Sequence, residues 1–171
     1  MKKAFAAALA AFFLTAISVI PVSAQTGGNG RTEARDFMIK CEVETALSLL
    51  QAVYALHLKG EMTLDKAKEL GAGLLRELRY AGDGYFWADT IGGVNVVLHG
   101  QKDTEGRNRL GDKDAKGFAY VKAFLEKGGA GGGYVEYFFT KLGDSGHYPK
   151  RSYVKLFEPF GWVIGTGYYL E

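Results

Sequence analysis

A chain of 171 residues with 47% hydrophobic and 23% charged side chains has the composition of one globular domain, outside the low-hydrophobicity, high-charge regime of disordered proteins. Its 21 basic and 19 acidic residues nearly cancel, which argues against the clustered positive surface needed to neutralise nucleic acid phosphates. The single cysteine, Cys41, excludes an internal disulfide, so the fold has to rest on its core.

Residues 1–24 read as a secretory signal. Lys2 and Lys3 give the positive start, residues 4–20 the apolar run, and Val22-Ser23-Ala24 a small-residue cleavage site. Cleavage there would leave a mature chain that begins at Gln25. Losing the two lysines brings the balance to 19 basic against 19 acidic residues. A Gly/Asn/Thr-rich lead follows, and then residues 33–59 carry Phe37, Met38, Cys41, Ala46, Leu49, Leu50, Val53, Leu56 and Leu58 at steps of mostly three and four. That spacing predicts a long amphipathic helix, with Cys41 as a small buried residue and Gly60 as its end. A second helix is expected from Thr63 as N-cap, with Leu64, Ala67, Leu70, Leu74, Leu75 and Leu78 on its buried stripe, fading at Tyr80-Ala81-Gly82.

From Gly84 the pattern changes to short aromatic and β-branched runs between glycines, at residues 85–90, 94–99, 134–140, 152–157 and 162–169. These predict five strands. Ile91-Gly92-Gly93 and Glu158-Pro159-Phe160-Gly161 are short enough to be hairpin turns, so at least two neighbouring pairs should be antiparallel. Residues 112–127 hold a short inserted helix through Phe118, Val121, Phe124 and Leu125. Helices first, then an antiparallel sheet with one inserted helix, is an α+β arrangement.

Several motifs resemble catalytic or ligand-binding signatures out of context. Gly143-Asp144-Ser145-Gly146 spells a serine-protease nucleophile motif, but its His57 would lie in the helical half of a chain too short for two β-barrels. The glycine run 128–133 passes from helix into strand, the reverse of the order that aims a helix N-terminus at phosphate. Asp112-Lys113-Asp114 starts like a calcium loop, but Lys116 and Ala123 fall where ligands are needed. The histidines, His57, His99 and His147, are far apart, which gives zinc no local support. The expectation is a protein that is not an enzyme and needs no cofactor or metal.

The stretch Leu78-Arg79-Tyr80-Ala81-Gly82-Asp83-Gly84-Tyr85-Phe86-Trp87 resembles the opening of the sheet in the single Cache domains of bacterial chemoreceptors and sensor kinases. Three further pieces follow in the same order. They are Gly93-Val94-Asn95-Val96-Val97-Leu98, then Glu105-Gly106-Arg107-Asn108-Arg109-Leu110 with Asp114-Ala115-Lys116-Gly117, then Ser152-Tyr153-Val154-Lys155-Leu156-Phe157 through to Gly167. The resemblance covers nearly all of residues 25–171, and implies a PAS-like sheet with a long N-terminal helix on one face and a pocket for a short carboxylate on the other. It also implies a position outside the cytoplasmic membrane, periplasmic or secreted. Receptors of this type continue past the last strand, whereas this sequence ends at Glu171, so a stand-alone binding module without its own output domain is expected. Gly100 after His99 departs from the His-Pro of many relatives.

Alternation along the strands gives a pocket wall independently of the resemblance. Tyr85 and Trp87 share one side of the first strand, Asn95, Val97 and His99 one side of the second, and Tyr153, Lys155 and Phe157 one side of the fourth. Aromatic rings with Lys155 and His99 suit a carboxylate, the cation binding oxygen while the rings cover a short carbon chain. Tyr137 on the third strand, Arg79 and Arg109 complete the candidates. Expected partners are therefore a small organic acid and a membrane receptor or sensor kinase on which the module docks, with no nucleic acid; the chain itself is a monomer or a homodimer. A small secreted hydrolase is the rival reading.

Overall fold

The computed structural model describes residues 28–170, so the expected signal segment lies outside the described residues. The first helix, α1, runs over Gly28–Leu58, several residues earlier than the apolar spacing marks. Gly60, at φ +77°, ends it as expected, and Cys41 is half-buried on its side. The second helix, α2, covers Leu64–Glu77, and its Thr63 cap accepts a hydrogen bond from the Lys66 amide at 3.3 Å.

α2 stops at Glu77 and not at residues 80–82, because the next residues are claimed by a hairpin. β1 (Arg79–Tyr80) pairs antiparallel with β2 (Gly84–Tyr85), and its tip places Ala81 at φ +47° and Gly82 at φ +90°. Two successive left-handed residues close the turn, and the alanine does so against a penalty of about 1–2 kcal/mol. The expected first strand is thereby broken. Tyr85 belongs to the hairpin, and β3 (Trp87–Thr90) begins only after Phe86.

The main sheet adds β4 (Asn95–Leu98), β5 (Gly133–Phe139), β6 (Tyr148–Phe157) and β7 (Trp162–Tyr169). All pairs are antiparallel, in the spatial order β4-β3-β7-β6-β5. Between β4 and β5 lies α3 (Tyr120–Gly129), shorter at its start than expected. Residues 112–119 stay irregular because the Asp114 carboxylate accepts the Lys116, Phe118 and Phe138 amides at 2.8–2.9 Å. That carboxylate staples the loop to β5, and among the described residues no His/Cys/Asp/Glu group is arranged to hold a metal.

Cross-strand partners share a face of the sheet, and this sets the two sides. Trp87 pairs with Gly165, and Gly165 with Val154. On that face α3 packs through Val121 and Phe124 onto Trp87, Leu98, Val135, Tyr137 and Val163. Gly165 is required there, because a Cβ would run into the Trp87 ring and Val154. On the opposite face α1 and α2 bury Leu50, Val53 and Leu75 against Phe86, Val97, Phe157 and Ile164. Among the described residues no helix is long and apolar enough to cross a membrane.

Candidate functional site

The α3 face of the sheet contains one cation with an unusual environment. Lys150 of β6 is 1% exposed, yet among the described residues no carboxylate comes within ion-pair distance of it. Its ammonium nitrogen donates to the Tyr85 hydroxyl at 2.7 Å. Four rings surround it, with Nζ 4.3 Å from the centroid of Tyr85, 4.9 Å from Tyr169, and 5.3 Å from Trp87 and Phe139. Such contacts offset part of the lost hydration. They do not replace an anion. Burial pushes the Lys150 ammonium down to about 7, opposed only by the distant Asp83. A second group is equally incomplete, since the Trp87 indole N–H is buried without a hydrogen-bond partner.

Each strand around the cage contributes through its register. Tyr137 and Tyr169 are the direct cross-strand partners of Lys150 on β5 and β7. Tyr137 is buried flat against Tyr120 of α3, with ring centroids 5.2 Å apart, and its hydroxyl shares a hydrogen bond with Ser152. Burial raises the hydroxyls of Tyr85, Tyr137 and Tyr169 above their ordinary value, so all three are neutral donors. Beside the cage lies a pocket of about 160 Å³ lined by Tyr85, His99, Phe139, Lys141 and Leu142 among others. At liquid water's share of about 30 Å³ per molecule this is room for about five non-hydrogen atoms. It adjoins an open cleft of about 830 Å³, bounded by the β1–β2 hairpin, Arg35 of α1 and the end of β7. Tyr85 and His99 line both spaces.

A family model for the single Cache domain 2 matches residues 32–171. The chain belongs to that family. Its sequence is 29% identical over 130 residues to the methyl-accepting chemotaxis protein McpP of Pseudomonas putida, covering 75% of this chain and 24% of that protein. It is 32% identical over 126 residues to the sensor histidine kinase MctS of Rhizobium johnstonii, covering 74% and 27% respectively. The chain thus spans about a quarter of the length of the curated relatives it matches. Among solved structures it is similar to the periplasmic sensor domain of a chemotaxis protein, with TM-score 0.78, 30% identity, and coverage of 82% of this chain and 97% of that one. It is similar also to a Cache chemosensory domain whose structure is described as the basis for carboxylic acid recognition, with TM-score 0.80, 29% identity, and coverage of 85% and 99%. This Cache domain is therefore homologous to the sensor domains of chemoreceptors and sensor kinases.

Within the Cache fold the residues expected to form one wall are divided between two faces. Tyr85, Trp87 and Tyr137 meet around Lys150. Tyr153 and Lys155 do not, and this corrects the alternation reading. Tyr153 packs with Ile39 and Val43 under α1, and Lys155 reaches Glu44 of α1 at 3.9 Å, half-exposed. Alternation fixes which residues of one strand share a side, but not the phase between strands, and the Val154–Gly165–Trp87 register puts the odd-numbered residues of β6 behind the sheet. Asn95 and Val97 are also separated. An irregular register between Ala88 and Asp89 lets Asn95 pair with Asp89 while Val97 pairs with Ala88 on the α1–α2 face.

The remaining candidates have partners of their own. His99 sits at the mouth, its ring 5.6 Å from that of Tyr85. Its Nδ1 accepts from the exposed Arg79, and burial together with the Arg79 charge lowers its pKa. Arg109 is 2% exposed, bonded to the buried Asp89 at 3.0 Å and to Tyr120 at 3.3 Å. It pins the 99–119 loop to β3 from outside the cage. Lys150 itself lies outside the expected strand, which starts at Ser152, because Pro149 interrupts the β-branched and aromatic pattern before it. Extending the period of two backward from Ser152 and Val154 puts Lys150 on their side of β6, opposite Lys155, but leaves open which face of the sheet that is. A second ionic centre lies behind the sheet, where Arg151 holds Asp36 of α1 at 2.7 Å and Tyr168 donates to it at 2.8 Å. Against the burial that would raise it, these bonds hold the Asp36 carboxyl below its ordinary value.

Proposed function

We propose that this Cache domain is an extracytoplasmic sensor module whose ligand is a short monocarboxylate held by Lys150 and covered by Tyr85, Trp87, Phe139 and Tyr169. The observation that carries the reading is the buried Lys150 amine with no anion beside it among the described residues, close to a buried indole N–H with no acceptor among them. An isolated buried charge costs several kcal/mol. One carboxylate would complete both groups, taking a charge-assisted bond from Lys150 of about 1.5–3 kcal/mol and a second from Trp87. A pocket of about 160 Å³ leaves little room for the second carboxylate of a dicarboxylate. The adjoining pocket suits acetate or propionate in size, and the similarity to a carboxylic acid-recognising Cache domain supports the class.

The same reading puts the domain outside the cytoplasmic membrane, with residues 1–24 removed on export. It acts by passing its ligand state to a membrane receptor or kinase, not by turning a substrate over. The test is a thermal-shift panel of small monocarboxylates, dicarboxylates and amines, since a ligand that binds only the native state must raise its melting temperature. Monocarboxylates should stabilise the wild type and Lys155→Ala, and leave Lys150→Met unmoved. Stabilisation by amines alone, or an undiminished response in Lys150→Met, would overturn the assignment.

A further inference from the structure

Resting on the carboxylate reading, we propose that at alkaline pH the site takes up its ligand together with a proton: Lys150 is then neutral in the empty cage, and becomes an ammonium as the carboxylate arrives beside it. The balance is simple. One proton leaves solvent for the lysine nitrogen, one anion leaves solvent for the ammonium, and the cage gains no net charge.

The surroundings of Lys150 carry the argument, element by element. β2 presents Tyr85, β5 presents Tyr137, and β7 presents Tyr169, all hydroxyls that burial keeps protonated. β3 presents Trp87, which does not titrate. His99 after β4 has its pKa lowered by burial and by Arg79. Lys141 in the 140–147 loop lies over the rings of Tyr148 and Tyr169. On the outer side of Lys150 lie Asp114, Lys116 and Glu136. The Asp114 carboxylate is taken by three backbone amides, Glu136 is bonded to Arg151, and Lys116 lies over Phe138. Asp83 at the hairpin tip acts from beyond contact distance. Among the described residues nothing within reach holds a compensating negative charge until a ligand supplies it, and burial has already brought the lysine to about 7.

The linkage has a definite sign. Above pH 7 the empty site must first gain a proton, so the dissociation constant for a carboxylate should rise by about tenfold per pH unit. Below pH 7 the lysine is already charged and the dependence flattens.

The experiment is calorimetric titration of propionate into the wild-type protein at pH 6.0 and pH 8.5, in buffers of different ionisation enthalpy. Uptake should be close to one proton per ligand at pH 8.5 and close to none at pH 6.0. Lys150→Arg, which stays charged throughout, should show no proton uptake at either pH. His99→Gln should retain the uptake. Binding at pH 8.5 with no proton taken up, or uptake that vanishes in His99→Gln, would overturn the inference while leaving the carboxylate reading intact. Failure of every carboxylate to bind at pH 6.0 would instead remove the carboxylate reading itself.

Discussion

Replacing Lys150 by methionine should stabilise the empty protein, although it removes a buried hydrogen bond. Lys150 is 1% exposed and its ammonium is pushed to about 7 from an ordinary value of 10.5. At pH 7 the unfolded chain keeps this lysine charged, whereas the folded chain holds it half-neutral, a mismatch that costs folding about 4 kcal/mol. Methionine of similar length removes that cost but gives up the bond to Tyr85 and the ring contacts, about 1–2 kcal/mol together. The net expectation is a gain of about 2 kcal/mol, or about 4–8 °C in melting temperature for a domain of this size. The sign with pH is the sharper test. Because the folded pKa is depressed, wild-type stability should rise as pH climbs from 7 toward 10, as the unfolded state loses its proton advantage. The difference between variant and wild type should shrink over that range. Urea denaturation at pH 6, 7 and 9 measures it. A variant that is destabilised at every pH by the same amount would show that the ammonium is already compensated in the fold, and would refute the reasoning.

Three further outcomes follow from the packing. Asp36→Asn should cost about 1 kcal/mol at neutral pH, given partial solvent screening of the Arg151 pair; because the folded pKa of Asp36 is depressed, that difference should disappear in urea titrations as pH falls below about 4. Arg109→Met strands the 1%-exposed Asp89 and should cost about 3–5 kcal/mol, most of it restored when Asp89→Leu is added, as read by denaturant midpoints. Gly165→Ala should cost about 1–3 kcal/mol by overpacking and displace the Trp87 ring, which a change in tryptophan fluorescence would report.

The elements were legible where their signal was local. Thr63 caps α2 as expected, the five sheet strands are those that the aromatic runs marked, and the 91–93 and 158–161 turns join antiparallel neighbours. What failed depended on relations between strands. The break at Phe86 follows from a hairpin whose tip requires a left-handed alanine, a residue that carries no turn signal. Lys155 was placed with Trp87 because the phase between β6 and β3 passes through Gly165 of β7, and no pattern within either strand contains it. Lys150 lay hidden behind Pro149, which reads as a strand breaker but sits inside β6 opposite Phe138. Of the candidate site, the aromatic half could therefore be read from sequence while its cation could not.

Lys150 and Arg151 are consecutive residues that face opposite sides of one strand. The first stands in the aromatic cage, and the second grips Asp36 near the start of α1. Their Cα atoms are separated by a single rigid peptide of about 3.8 Å. A strand in this position has the geometry of a lever with its fulcrum in the sheet. A ligand that shifted its backbone on one side would, with no hinge or linker between, also move the anchorage of a 31-residue rod on the other.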